Sequence, residues 1–231
     1  MTACIGSAQA TPYLLDFGSS PATVPQACAD AHGAARACST YGTLLQSYGD
    51  VVGHLDVTTH ASRGGALQWF NTGFNDLYGV AFDNTPSVNA PEWVDLLPLD
   101  GSTLTLTHFD LGGYYNSMRR HVELDVLALG SDTPLFSYHG SIGSSGGSSG
   151  TGQHTAFDLN LSSATGLRIR WRDLDNAANT GIDNIAFQTD PVASQVPEPA
   201  SWALFALGLA AGLARRKPRP ASYGCRSGAR R

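Results

Sequence analysis

The 231-residue sequence predicts an all-β fold, a two-sheet antiparallel sandwich resembling a jelly roll, followed by a single C-terminal hydrophobic helix. Three observations favour this fold class. Short runs of apolar residues alternate with polar residues, 26 glycines lie mostly in the gaps between those runs, and only 14% of the residues are charged. Together they are typical of a turn-rich β domain rather than a helical bundle.

The clearest strand patterns are TLTLTHF at residues 103–109 and HVELDVLAL at residues 121–129, which alternate as half-buried antiparallel strands do. Further strands are predicted at residues 14–17, 51–59, 66–70, 77–83, 135–139, 155–161, 167–171 and 182–187. The glycine- and serine-rich segment 140–152 is predicted to be a hairpin tip. Strands this frequent indicate a sandwich.

The predicted sandwich covers residues 11–188, and residues 189–195 form a linker. Residues 1–10 end in Ala8-Gln9-Ala10, a small-x-small pattern typical of a leader cleavage site. They contain neither a basic nor an adequate apolar leader region. We therefore expect them to be the remnant of an export leader with a mis-called start codon; the alternative is that the chain has no Sec signal.

The charges of the sequence are divided between its body and its tail. All 19 acidic residues lie between Asp16 and Glu198, whereas seven of the 14 basic residues lie between Arg215 and Arg231. An acidic body argues against nucleic acid as a partner, because phosphate binding needs a clustered positive surface.

The uncharged segment 202–214, WALFALGLAAGLA, lies between these two parts of the chain. It predicts a short transmembrane helix over about residues 200–214, with the basic tail 218–231 on the cytoplasmic side. A buried core helix is the alternative, but a core helix is not usually followed by an arginine cluster.

A short motif, Val196-Pro197-Glu198-Pro199, directly precedes this helix, and Arg215, Arg216 and Lys217 follow it. This order of parts, over residues 196–217, resembles the PEP-CTERM sorting signal of Gram-negative bacteria. The resemblance implies export by the Sec machinery, a transient stay in the inner membrane and removal of the helix and tail by an exosortase. It also implies a final location at the cell surface or in an exopolysaccharide biofilm matrix.

Two of the four cysteines, Cys28 and Cys38, lie in the exported body. In an oxidising compartment we expect them to form a disulfide that stabilises the fold by roughly 2–3 kcal/mol. A metal site with His32 is the alternative, and it lacks further ligands at suitable spacing. The seven histidines show none of the spacings of known metal motifs.

A candidate metal site joins the two ends of the body, Asp16 in LLDF and Asp183 in GIDNIAF. The pairing resembles calcium-stabilised jelly rolls, such as carbohydrate-binding modules and the MAM domain. The resemblance implies a structural calcium held by Asp16 and Asp183, with Asp76 or Asp83 as a further ligand. The alternative is that Asp183 caps a turn. No other cofactor is expected.

Two charged rows lie on predicted strand faces. Arg168, Arg170 and Arg172 alternate along one strand, and His121, Glu123 and Asp125 alternate along another. The arginines would either bind an acidic polysaccharide or pair with acids on neighbouring strands. The second row is either a ligand row or an ordinary solvated face.

An aromatic pair is the candidate glycan contact. Tyr114 and Tyr115 follow Gly112-Gly113 in a predicted loop, where aromatic side chains are accessible.

The sequence contains no nucleophile elbow, zincin motif or phosphate loop. We therefore expect a non-catalytic surface or matrix protein associated with exopolysaccharide. The alternatives are a purely structural exported protein and a secreted glycosidase, for which Glu92 and Glu123 are the only glutamates in the body.

Overall fold

The computed structural model describes residues 10–18, 24–85, 87, 90–115, 120–144, 151–175 and 179–190. These residues form fourteen β-strands and no helix, so the all-β prediction is confirmed for this part of the chain. None of them forms a helix with the length and apolar character needed to cross a membrane. The predicted leader remnant up to residue 9, the segment 200–214 and the tail lie outside the described residues.

The strands, in chain order, are β1 (Thr11–Leu15), β2 (Cys28–Ala29), β3 (Ala35–Arg36), β4 (Gly42–Thr43), β5 (Leu55–His60), β6 (Gln68–Phe70), β7 (Val80–Phe82), β8 (Glu92–Pro98), β9 (Thr103–Gly113), β10 (Arg120–Ala128), β11 (Pro134–Ile142), β12 (Thr155–Ser163), β13 (Leu167–Asp173) and β14 (Thr180–Asp190). Strand β11 extends three residues beyond the predicted 135–139, into the predicted hairpin tip, of which residues 145–150 are not described. Strand β14 extends two residues beyond the predicted domain boundary at 188.

The strands form two large sheets. The first sheet has the order β12-β9-β14-β7-β6-β4 with β1 also paired to β14, and the second has the order β11-β10-β13-β8-β5. Eight of these strands form two four-stranded layers, β12-β9-β14-β1 and β11-β10-β13-β8, in which every pairing is antiparallel. This interleaving of strands between two sheets is the order of a jelly roll, and the predicted sandwich is therefore confirmed.

The core lies between the sheets and follows from the period-two pattern. Leu167, Ile169 and Trp171 of β13 are fully buried, whereas the alternating arginines of that strand face outward. Leu106 of β9 and Leu124 of β10 belong to the same buried cluster. Burial of these apolar side chains from both sheets is the main stabilisation of the sandwich.

The sequence pattern did not reveal strand β8, which lies between β13 and β5 in the second sheet. Its inward positions alternate correctly, but the first of them is the acidic Glu92. The outward position beside it is the aromatic Trp93. An acid on the buried face and an aromatic residue on the outer face hide the period-two signal.

The disulfide between Cys28 and Cys38 is present, with the two Cα atoms 5.0 Å apart. It connects β2 to the residues that follow β3, and both cysteines are buried. The metal site with His32 is not formed, because both sulfur atoms are bonded to each other. By the chain-entropy estimate this closed loop stabilises the fold by roughly 2–3 kcal/mol.

Candidate functional site

A break in the pairing of β14 positions the predicted metal pair. One edge of β14 pairs with β7 at Gly181 and Ile182, and with β1 from Ile185 to Thr189. Between these two segments lies Asp183-Asn184, where the register shifts against β9 and Asn184 has a φ of 53°. Such a bulge turns side chains out of the regular alternation.

The structure brings Asp183 close to the residues that follow β1. Its carboxylate Oδ1 accepts a hydrogen bond from the backbone amide of Phe17 at 2.9 Å. The neighbouring Asp16 accepts a hydrogen bond from the amide of Gly18 at 2.6 Å. The two aspartates that the sequence paired are therefore neighbours, on a loop and a bulge that pack against each other.

Burial raises the pKa of Asp183 to about 8, and the charges of Asp16 and Asp110 add to that rise. Hydrogen bonds from the amides of Phe17 and Asn184 oppose the rise and are outweighed. At neutral pH the group therefore holds a proton unless a cation lies beside it. A proton on Asp183 and a cation beside it would each relieve the repulsion between this carboxylate and its acidic neighbours.

The two further ligands that the sequence suggested for calcium have other partners. Asp83 accepts hydrogen bonds from the amide and the hydroxyl of Ser62, at 2.9 and 2.6 Å. Asp76 is bonded to the ring and the amide of His154. Across the described ranges, no group of three or more His, Cys, Asp or Glu side chains is already arranged around a metal position. Calcium at Asp16 and Asp183 thus stays a prediction.

The predicted glycan pair lies on an aromatic cluster. Tyr115 is 61% exposed, and its ring centroid lies 4.4 Å from that of the half-buried Tyr114. Tyr114 packs on Phe70 and Phe74, with ring centroids 5.5 and 5.2 Å away. Tyr41, which is 47% exposed, also packs on Phe70, with ring centroids 5.1 Å apart. We call Tyr41, Tyr114 and Tyr115 the tyrosine patch.

Two members of the tyrosine patch have an uncommon backbone conformation. Tyr41 has a φ of 68° and Tyr115 has a φ of 58°, in the left-handed region that bulky residues rarely adopt. The sequence offered no signal that Tyr41 would join this surface, because the pairing of β4 with β6 brings it there from a distant part of the chain.

The arginine row is paired with acids of the neighbouring strands, as one of the two sequence interpretations expected. Arg168 forms two hydrogen bonds to Asp95 at 2.7 and 2.8 Å, and Arg170 binds Asp125 at 2.7 Å. Arg172 is bonded to Glu123. A cavity of about 220 Å³ lies along this row, lined by Pro91, Glu123, Asp125, Arg170, Trp171 and Arg172.

This pairing also accounts for the second charged row. Glu123 and Asp125 are the ion-pair partners of Arg172 and Arg170, and His121 lies 3.5 Å from Asp175. The three residues therefore do not converge as metal ligands. They are part of a charged outer sheet face, on which Asp125 is largely covered by its partners Arg170 and Ser137.

A histidine–aspartate network on the other sheet was not foreseen. It consists of His108 and Asp110 of β9, Asp158 of β12, and the loop residues Asp76 and His154. Only the i, i+2 spacing of His108 and Asp110 is visible in the sequence. The tertiary structure alone brings Asp158 to His108 and His154 to Asp110, and Asp76 joins the network through His154.

Two comparisons with known proteins assign no family to the sandwich. A search of curated proteins finds no match. Among solved structures, the enzymatically active domain of bacteriophage CBA120 tailspike protein 4 aligns with 62% of this chain at 13% identity and a TM-score of 0.33. The alignment spans about one fifth of that tailspike chain, and a likeness this low carries no argument about fold or activity.

The predicted sorting residues lie outside the described residues, but the sequence of that region is diagnostic by itself. It matches the PEP-CTERM protein-sorting motif over residues 195–219, which include Val196, Pro197, Glu198, Pro199, Arg215, Arg216 and Lys217. Residues 195–219 are therefore a PEP-CTERM sorting motif, which implies export through a membrane-anchored precursor and processing by an exosortase.

Proposed function

We propose that the exported sandwich is a non-catalytic module of the cell surface or biofilm matrix that binds extracellular polysaccharide through the tyrosine patch. One observation supports this function above the others. Tyr41 and Tyr115 are both exposed and both have a positive φ, beside an aromatic cluster whose Phe74 and Phe82 are buried.

A positive φ at a bulky residue costs on the order of 1–3 kcal/mol and persists only where the surrounding structure enforces it. Tyr41 and Tyr114 both contact Phe70, whose ring also packs on Phe74 and Phe82. Tyr115 contacts Tyr114. We therefore expect these contacts to order the exposed rings before any ligand arrives. Rigid aromatic faces suit the flat apolar faces of sugar rings, since little side-chain entropy is lost on binding.

Export of the module supports the same function. The sorting motif implies export, and the Cys28–Cys38 disulfide is of the kind that persists in an oxidising compartment outside the cytoplasm. A surface or matrix location places the tyrosine patch in contact with extracellular polysaccharide.

The charges of the body favour an uncharged polymer. Residues 11–200 contain seven basic and 19 acidic residues, a net charge of 7 − 19 = −12. The arginine row is already paired with Asp95, Asp125 and Glu123. We therefore expect neutral polysaccharide to bind more tightly than uronic or sulfated polysaccharide.

The test is binding of the full chain to an array of neutral and acidic glycans and to the exopolysaccharide of the host. We expect Tyr115→Ala and Tyr41→Ala each to weaken binding about tenfold, as loss of a stacking aromatic ring does. The matched control is Leu135→Ala, which removes a side chain of similar exposure, 46%, from the other sheet. Thermal melting of each variant checks the fold.

Two results would contradict the proposal. Absence of binding to every glycan would favour the alternative of a purely structural exported protein. Release of reducing sugar from a bound glycan would favour the glycosidase alternative instead.

A further inference from the structure

The outer face of the first sheet carries a buried carboxylate between two imidazoles. Phe109 and Leu111 of β9 face the core, so His108 and Asp110 face outward. Strand β12 places Asp158 opposite His108, and the segment before β12 places His154 beside Asp110. Although it lies on the outer face, Asp110 is only 3% exposed.

Both imidazoles are fixed in the same way. Nδ1 of His108 lies 2.7 Å from Asp158, and Nδ1 of His154 lies 2.8 Å from Asp76. An ionised carboxylate only accepts hydrogen bonds, so each Nδ1 carries the proton and donates it. In the neutral imidazole, each Nε2 is then left with a lone pair.

Both Nε2 atoms face the same oxygen of Asp110. Oδ1 of Asp110 lies 3.1 Å from Nε2 of His108 and 3.3 Å from Nε2 of His154. The other oxygen, Oδ2, accepts a hydrogen bond from the side-chain amide of Asn184 at 2.8 Å. Oδ1 itself is buried and accepts no aligned hydrogen bond. Two imidazole lone pairs thus face one buried carboxylate oxygen that has no hydrogen bond.

A carboxylate oxygen facing two imidazole lone pairs is repulsive unless a positive charge lies among them. No arginine or lysine in the described ranges forms an ion pair with Asp76, Asp110 or Asp158. The positive charge must therefore come from a bound ion or from protons on the imidazoles.

We propose that His108, His154 and Asp110 bind one divalent transition-metal ion of the zinc class through Nε2, Nε2 and Oδ1. Zinc bonds of about 2.0–2.1 Å at tetrahedral angles place two ligand atoms roughly 3.3 Å apart, which the separations of 3.1 and 3.3 Å approach. Mixed imidazole and carboxylate donors suit this class of ion rather than calcium.

A carboxylate accepts a hydrogen bond from the second ring nitrogen of each proposed histidine ligand. A metal-binding histidine usually donates its other ring N–H to a carboxylate, which orients the ring and makes the ligand more basic. Asp158 and Asp76 lie in this position. Since the three donors do not yet enclose a common point, binding requires the two imidazoles, each 30% exposed, to turn toward the ion.

The test uses the full chain without a histidine tag, stripped with a chelator and titrated with Co²⁺ and then Zn²⁺ at neutral pH. Tetrahedral Co²⁺ absorbs visible light, so the spectrum reports the geometry as well as the affinity. We expect one ion per chain in the native protein. His108→Ala and His154→Ala should each weaken binding at least tenfold, and Asp158→Asn roughly 10–100-fold, the usual effect of losing a carboxylate behind a ligand.

The matched control is His54→Ala, because His54 also pairs its Nδ1 with a carboxylate, that of Asp100 at 2.8 Å. It should bind Co²⁺ like the native protein. If His108→Ala does not fold, His108→Gln is the second variant, with thermal melting as the check. Cys4 and Cys225 are present in every variant, so any metal bound at these cysteines would be the same in all of them.

The proposal is overturned if the native chain binds neither ion, or if both histidine variants bind as well as the native chain. Nitrogen NMR that finds both ring nitrogens of each histidine protonated in the presence of Zn²⁺ would also overturn it. None of these outcomes bears on the binding of polysaccharide by the tyrosine patch.

Discussion

The carboxylate of Asp183 accepts a hydrogen bond from the backbone amide of Phe17, a contact of 2.9 Å between residues 166 positions apart. This hydrogen bond connects the bulge of β14 to the loop that follows β1. Phe17 in turn accepts a hydrogen bond at its carbonyl from the indole of Trp69 at 2.7 Å. The ends of the domain are thus joined through buried polar contacts.

Stability should fall as pH rises because of Asp183. Burial raises its folded-state pKa to about 8, while the unfolded chain has the ordinary value near 4. Between these values the folded state holds one more proton, so this group contributes stability at low pH that is lost as pH rises toward 8. Asp183→Asn removes this contribution and still accepts the Phe17 hydrogen bond.

The measurement is urea unfolding of both proteins at several pH values with chelator present. Relative to the native protein, Asp183→Asn should gain about 1.4 kcal/mol of unfolding free energy per pH unit across this window. Asp132→Asn, at an exposed position, is the control. Parallel pH curves for native protein and Asp183→Asn would show that Asp183 ionises normally.

Calcium should act on the same group if Asp16 and Asp183 bind it. The ion favours the ionised carboxylates, so added Ca²⁺ would raise the melting temperature of the native protein near pH 8. At a concentration one hundred times the dissociation constant, the gain is about 2.7 kcal/mol. Asp183→Asn and Asp16→Asn should lose most of that gain. An equal shift in all three proteins would place the calcium elsewhere.

Gly79 should be among the least replaceable residues of the body. Its φ is 83°, and a Cβ atom there would lie 2.2 Å from the carbonyl oxygen of Phe17. Gly53 has a similar φ of 77° but open space around it. Gly53→Ala should therefore cost only the backbone strain, about 1–2 kcal/mol.

Gly79→Ala adds a clash with the backbone to the same strain. It should lower the free energy of unfolding by more than ~4 kcal/mol, a loss that few single substitutions cause. Chemical unfolding of both variants measures the difference. Equal destabilisation by the two substitutions would show that the Phe17 loop moves freely away from β7.

The sorting motif makes a prediction in the cell. Glu198→Ala or Pro199→Ala should leave the full-length precursor in the inner membrane, because the exosortase no longer recognises it. Fractionation followed by a blot against the body detects the precursor. Asp190→Ala, an acid substitution before the motif, should be processed normally. Release of the Glu198→Ala protein at the native rate would refute the sorting role.

Local patterns predicted most of the fold. Leu167 to Trp171 alternate between the core and the surface as their sequence does, since a strand turns successive side chains to opposite faces. Strand β8 escaped prediction because Glu92 occupies an inward position. The pKa of the Glu92 carboxyl is raised well above its ordinary value, first by burial and then by the charges of Asp173 and Asp83. The period-two pattern gives no reason for an acid at this inward position, so the sequence could not predict it.

The sequence by itself determined most of the longer strands, the disulfide partners and the sorting motif, because each depends on residues close together in the chain. The tertiary structure alone decided which distant side chains meet. It set Tyr41 beside Tyr114, and it set His154 beside Asp110. The physical reason is that a jelly roll pairs strands remote in sequence, so its surfaces are assembled across sheet neighbours rather than along the chain.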